Sequence, residues 1–168
     1  MSDPTLIEIH RPLLGITVSG NLKLDTIGKL AGQVAAGNVP VFGGKGIPSG
    51  VTISNAAGTT NISNVTFQVS DLDGIAVAGN YSLMLLLSDA TTGLGLTTHT
   101  ASGGIAAASS GGTVILAEVA SKALHVQTNS AGAFVLAITD SAKNLFVPVA
   151  YWAGRSSIGA ALTAGSYG

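Results

Sequence analysis

From residue 61 onward one pattern recurs: a short run that alternates apolar and polar residues, then a cluster of Gly, Ser, Asn or Asp. In NVTFQVS, Val65, Phe67 and Val69 share one face while Thr66, Gln68 and Ser70 share the other, which is the period of a half-buried strand. GTVILAEVA, ALHVQT, AFVLAIT, LFVPVAYWA and IGAALTA follow as further strands. Leu124 and Val126 fall opposite His125 and Gln127, and Phe134, Leu136 and Ile138 form one stripe. YSLMLLLS is apolar on both faces and predicts a central strand covered on each side. The turn TNSAGA places Gly132 where a bulged hairpin needs a residue at positive φ. Short strands punctuated by turn signals predict an all-β chain, an antiparallel sandwich over 61–168 of immunoglobulin-like size. Within it ASGGIAAASSGG (101–112) reads as a mobile loop or a weak edge strand.

Residues 1–60 read differently. LIEIH and GITVSG are candidate strands, and Asp25 can cap a short helix over 25–36 with Ile27, Leu30, Ala31 and Val34 on one face. GNVPVFGGKGIPSG is a Gly/Pro-rich connector, and VTISNAAGTTNIS suggests a hairpin around Asn55–Gly58. The organisation expected is an N-terminal docking extension at 1–60 followed by the sandwich at 61–168.

Composition narrows what such a chain can do. Ala, Gly, Ser and Thr supply 80 of 168 residues, and only 15 are charged, against roughly 25% in an ordinary soluble domain. So little charge favours association, and a net charge of −1 leaves no field for gathering nucleic acid. Cysteine is absent, so disulfides and thiolate metal sites are excluded. MSDPTLIEIHRP lacks the basic and apolar regions of a leader, and YSLMLLL falls short of the ~20 residues a membrane helix requires. The expectation is a soluble protein made inside a cell, without membrane or nucleic-acid partners.

The acidic residues raise the question of a metal. Asp71-Leu-Asp73-Gly74 begins like a calcium loop, but position 80, where that loop needs Glu, is Asn. Asp and Gly are also what a tight turn demands. Asp89 and Asp140 follow Ser or Thr at strand ends, and all are read as turn formers. GGKG (43–46) lacks the Gly and the Ser or Thr of a phosphate loop, and no G-x-S-x-G elbow exists. His10, His99 and His125 lie too far apart for a zinc pair. Asn61, Asn64 and Asn80 open glycosylation triplets that chance explains in a chain so rich in Ser and Thr. No catalytic group, cofactor or metal site is expected. Of Tyr151 and Trp152, one should plug the core and the other face a contact.

Three stretches carry a family resemblance: GIAVAGNYSLMLLLSDATTGLGLT, LHVQTNSAGAFVLAITDSAKNLFVPVAYWAGR and LTAGSYG. Their SDA-x-TG-x-GLT, QT-x-x-x-G and L-x-ITD-x-A-K segments, in this order, resemble small virion structural proteins of tailed bacteriophages. The resemblance covers residues 61–168 and implies a non-enzymatic virion part with a β-sandwich. It leaves head, tail and fibre open. A capsid decoration or cement protein is the leading expectation, with the major capsid protein or other virion proteins as partners and a homo-oligomer, such as a trimer, as its state. Leu6, Ile7, Ile9, Trp152, Arg155 and Tyr167 are the expected contact residues, because arms and termini are where such chains engage.

Overall fold

The computed structural model describes residues 46–168 and, within 1–45, the backbone of two short antiparallel strands, β1 (Ile7–Glu8) and β2 (Asn21–Leu22). The chain divides into two compact units, 1–45 and 46–168. The helix expected at 25–36, Leu6, Ile9 and the side chain of Ile7 lie outside the described residues. Among the described residues no helix is long and apolar enough to cross a membrane.

The larger unit is all-β. Its strands are β3 (Gly50–Ala57), β4 (Ile62–Ser70), β5 (Ser82–Ser88), β6 (Gly104–Ala107), β7 (Thr113–Val119), β8 (Ala123–Gln127), β9 (Ala133–Thr139), β10 (Val147–Trp152) and β11 (Arg155–Ile158). They form two antiparallel sheets, β3-β4-β9-β6 and β11-β10-β5-β8-β7. These positions match ABED and GFCC′C″ of a variable-type immunoglobulin sandwich. One connection departs from that plan: after β5 the chain fills the D position (β6) before the C″ and C′ positions (β7 and β8).

Period-2 alternation explains the core. Val65, Phe67 and Val69 of β4 and Phe134, Leu136 and Ile138 of β9 are fully buried, with Phe67 directly opposite Phe134. From the other sheet they meet Leu83, Leu85 and Leu87 of β5 and Leu124 and Val126 of β8. Burial of each such side chain contributes about 1.5–3 kcal/mol. Ser63, on the same inward stripe of β4, is fully buried, and its hydroxyl has no hydrogen-bond partner among the described residues.

The boundary expected at residue 61 falls too late. β3 pairs with β4 from Gly50↔Ser70 to Ala57↔Ser63, so the sandwich begins at Gly46 and includes the hairpin foreseen near Asn55–Gly58. As an edge strand, β3 buries Val51 and half-buries Ile53 while its second half is exposed, so its alternation is faint in the sequence. The 101–112 stretch supplies β6, a four-residue edge strand. β7, the edge of the other sheet, carries two register shifts, between Val114 and Leu116 and between Ala117 and Val119. β5 is central as expected, yet it is fully covered on one face alone: Met84 is 36% exposed on the outside.

Residues 162–168 close one end of the sandwich. Leu162 bridges to Phe146, and Tyr167, 4% exposed, donates its hydroxyl to the Asn144 carbonyl at 3.1 Å. Gly168 donates to the Ile62 carbonyl and accepts from the Asn61 N–H. Burial, reinforced by the nearby Asp140 charge, pushes the Tyr167 phenol up to about 12. Its neutral form therefore contributes stability that is complete below pH 10 and is lost as pH rises toward 12.

Tyr167→Ala should lower unfolding free energy by about 3–5 kcal/mol in urea titration, and Tyr167→Phe should shrink the stability lost on the alkaline side. A Tyr167→Ala protein as stable as the parent would show that this end of the core is closed by other groups. Ser63→Ala should raise stability by about 1 kcal/mol, since it removes an unbonded buried hydroxyl. Destabilisation instead would mean that the hydroxyl is hydrogen-bonded in solution.

Candidate functional site

Connections that switch sheets are the most demanding points of this fold. Five do so: β4–β5, β5–β6, β6–β7, β8–β9 and β9–β10. At each, backbone N–H groups leave the ladder and need new acceptors, because a buried unpaired one costs about 1–3 kcal/mol. Three of these connections open with an aspartate placed immediately after the strand: Asp71 after β4, Asp89 after β5 and Asp140 after β9. Asp71, buried, accepts from the N–H groups of Asp73 and Ile75 on one oxygen and of Gly46 on the other, at 2.9–3.0 Å. Gly74 takes φ 77° in the same turn. Asp89 accepts from the Thr97 hydroxyl and, at 2.7 Å, from both the N–H and the hydroxyl of Thr98. Asp140, fully buried, accepts from the N–H groups of Ser102, Ala142 and Asn144.

At β8–β9 an amide performs the same task. The Asn129 side-chain oxygen accepts from the Ala131 and Ala133 N–H groups. Gly132 sits there at φ 80°, and a Cβ on it would run into the Val77 carbonyl. Hairpins within a sheet turn on a residue at positive φ: Asn61, Ser121, and Ala153 with Gly154. Left-handed residues serve both kinds of turn; the acceptor side chains of Asp71, Asp89, Asn129 and Asp140 set four of the five corners apart.

The carboxyl acidities follow from these bonds. Burial pushes Asp89 up, but the hydrogen bonds from Thr97 and Thr98 outweigh it and hold the group at about 2. Asp140 is lowered in the same way, burial being overcome by donors from Asn144, Ser102 and Ala142. Carboxylates this committed to backbone donors have little capacity left for an ion, and among the described residues no three His, Cys, Asp or Glu side chains converge.

One pair has the look of chemistry. On the outer face of the five-stranded sheet the Ser82 hydroxyl lies 2.6 Å from His125 Nε2. Sequence spacing does not reveal it, because the register Met84↔His125 makes the two residues diagonal neighbours across strands. A nucleophilic serine also needs a group that orients the histidine and donors for an oxyanion. Among the described residues no carboxylate is hydrogen-bonded to His125, and Ser82 opens a strand paired to β8 on a flat, open surface. The pair is a surface contact between neighbouring strands.

Two surfaces remain as candidates for binding. A cleft of about 360 Å³, where β3 begins and β10 ends, is lined by Pro48, Ser49, Leu72, Trp152, Ala153 and Arg155. Trp152 is half-buried there and meets the Tyr81 ring edge-on at 6.0 Å, while Arg155 donates to the Ser49 carbonyl at 3.4 Å. The larger surface is the outer face of the five-stranded sheet. One row across it runs Ser156–Tyr151–Met84–His125–Leu116 and the next Ile158–Val149–Leu86–Ala123–Val119. Tyr151, Met84, Leu116, Val119 and Ile158 are all exposed, and no Lys, Arg, Asp or Glu stands in either row.

The expected contact residues divide accordingly. Trp152 and Arg155 share the cleft, with Trp152 packed partly against the core and Tyr151 as its outward neighbour. Tyr167 is a correction: it is buried in its own domain and offers no surface to a partner. Tyr151, Met84, Leu116 and Ile158 were missed as a group. Their signal was present in strands whose outward positions are also apolar, but only the strand order assembles them.

Asp89→Asn and Asp140→Asn should each lower stability near neutral pH, by about 1–3 kcal/mol for the buried Asp140. Both carboxyls bind protons more weakly folded than unfolded, so their contribution is present above the ordinary value of 3.8 and is lost as pH falls below it, for Asp89 toward about 2. Urea titrations at about pH 7, 4 and 2.5 should show a shallower acid loss for both variants than for the parent; parallel losses would remove the corner role. No family model, curated protein or solved structure matches this chain.

Proposed function

We propose that this chain is a non-enzymatic virion structural protein of a tailed phage, a capsid decoration protein that stabilises the shell through repeated subunit contacts. The observation that carries this reading is the uncharged apolar face of the five-stranded sheet, bordered by Ser82, Thr113, Gln127 and Ser156. A patch of this kind with a polar border is the anatomy of a protein interface. The motifs behind the phage resemblance support it from another side. SDA-x-TG-x-GLT, QT-x-x-x-G and ITD-x-A-K contain Asp89 with Thr97, Asn129 with Gly132, and Asp140, the side chains that fix three corners. A sandwich whose polar groups serve its own backbone acts through shape, and repetition over many copies turns modest contacts into large avidity.

A second reading, a tail or fibre component with a receptor-binding role, is favoured by the Trp152–Arg155 cleft. An aromatic ring beside a guanidinium suits a sugar or an acidic peptide.

Purified protein mixed with shells that lack it should co-sediment to a fixed number of copies per shell and raise the temperature at which shells disrupt. Binding to isolated tails in preference to shells would replace the first reading with the second. Failure to bind either would end both.

A further inference from the structure

We propose that the outer face of the five-stranded sheet pairs with the same face of a second copy, forming a twofold dimer centred on Met84 of β5. The inference deepens the contact-protein reading by naming the surface and its occupant. β5 is the middle strand of the order β11-β10-β5-β8-β7, and Met84 lies between Tyr151 and His125 in the register. A twofold axis in the plane between the two sheets, running along β5 past Met84, sets each outward row against its own copy, an arrangement an isologous interface allows.

Three observations select a second copy as the occupant. The first is charge. Both outward rows lack Lys, Arg, Asp and Glu, so the face has no field with which to choose a charged partner and nothing to repel itself. The second is area. Five strands at ~4.8 Å spacing and ~6 residues at ~3.3 Å span about 24 by 20 Å. That is about 480 Å², within which Val149 and Ala123 are already buried, so the pairing expected is of the small, reversible class below ~1,200 Å² in total. The third is continuity. Gly93 lies against Val149 and Ile158, so the loop after β5 covers Val149 in the second row and adds Leu94, 72% exposed, to the border of the face. The composition also fits: Met, Tyr, Leu and Ile at the centre, with Ser, Thr and Gln around them. Two sheets meeting this way pack about 10 Å apart with interdigitated side chains, as the two sheets inside each copy do.

The chain has no cysteine, so one introduced thiol reports on one position. In sedimentation equilibrium the full-length protein should be dimeric at ~100 μM. Met84→Lys, which buries two like charges at the axis, should weaken association at least ~100-fold while the far-ultraviolet circular dichroism stays unchanged. Met84→Cys should form a covalent dimer under mild oxidation, whereas Thr52→Cys, exposed on the opposite sheet, should not. A monomeric parent, as expected if another segment or a different protein covers the face, would overturn the proposal. So would a dimer that Met84→Lys leaves intact, or equal cross-linking of the two thiols. Because this assay contains no shells, a dimer that ignores shells would sink the decoration reading alone, and a monomer that binds them would sink only the dimer.

Discussion

Corners govern this molecule. A sandwich whose chain changes sheets five times must turn its backbone out of the ladder five times, and the turns free N–H groups, several of them partly buried. Asp71, Asp89 and Asp140 solve this with a carboxylate that gathers two or three donors, and Asn129 does so with an amide. Facing stripes such as Phe67–Phe134 and Leu83–Leu85–Leu87 supply most of the burial energy. They can meet only because the corners deliver β4 and β5, and then β9 and β10, to opposite sheets in the correct register.

Seen this way, the scarcity of acidic residues and their locations have one explanation. Of the eight Asp and Glu in the chain, three stand directly after a strand that is about to change sheets. A carboxylate at such a point is worth more than one on the surface, because its donors are partly shielded from solvent. Acid therefore acts on the fold through these corners, since protonation of Asp89 and Asp140, both held below the ordinary carboxyl range, withdraws the charge that gathers their donors.

What the sequence made legible follows the same division. Strands with one clean stripe, such as 64–70 and 133–139, could be read because burial on one side enforces alternation. The corner aspartates could be read as turn formers because Asp beside Gly or after Ser or Thr is local chemistry. β3 was not legible as part of the sheet: an edge strand with one buried side chain, Val51, carries almost no periodic signal. Tyr167 was misjudged because its environment is assembled by Asn144, Ile62 and Asn61, which are remote in sequence. The outer face stayed hidden for a similar reason, since Tyr151, Met84 and Leu116 become neighbours only after β10, β5 and β8 and β7 are set side by side.

The two slips of register in β7 have a consequence beyond that strand. A long, flat strand at a sheet margin is a template onto which further chains can add without limit. Here the five-stranded sheet ends on a margin kinked at two points, and the neighbouring margin of the other sheet, β6, is only four residues long. Side-by-side growth into ribbons is thereby blocked at that flank. An incoming strand finds no straight rail there.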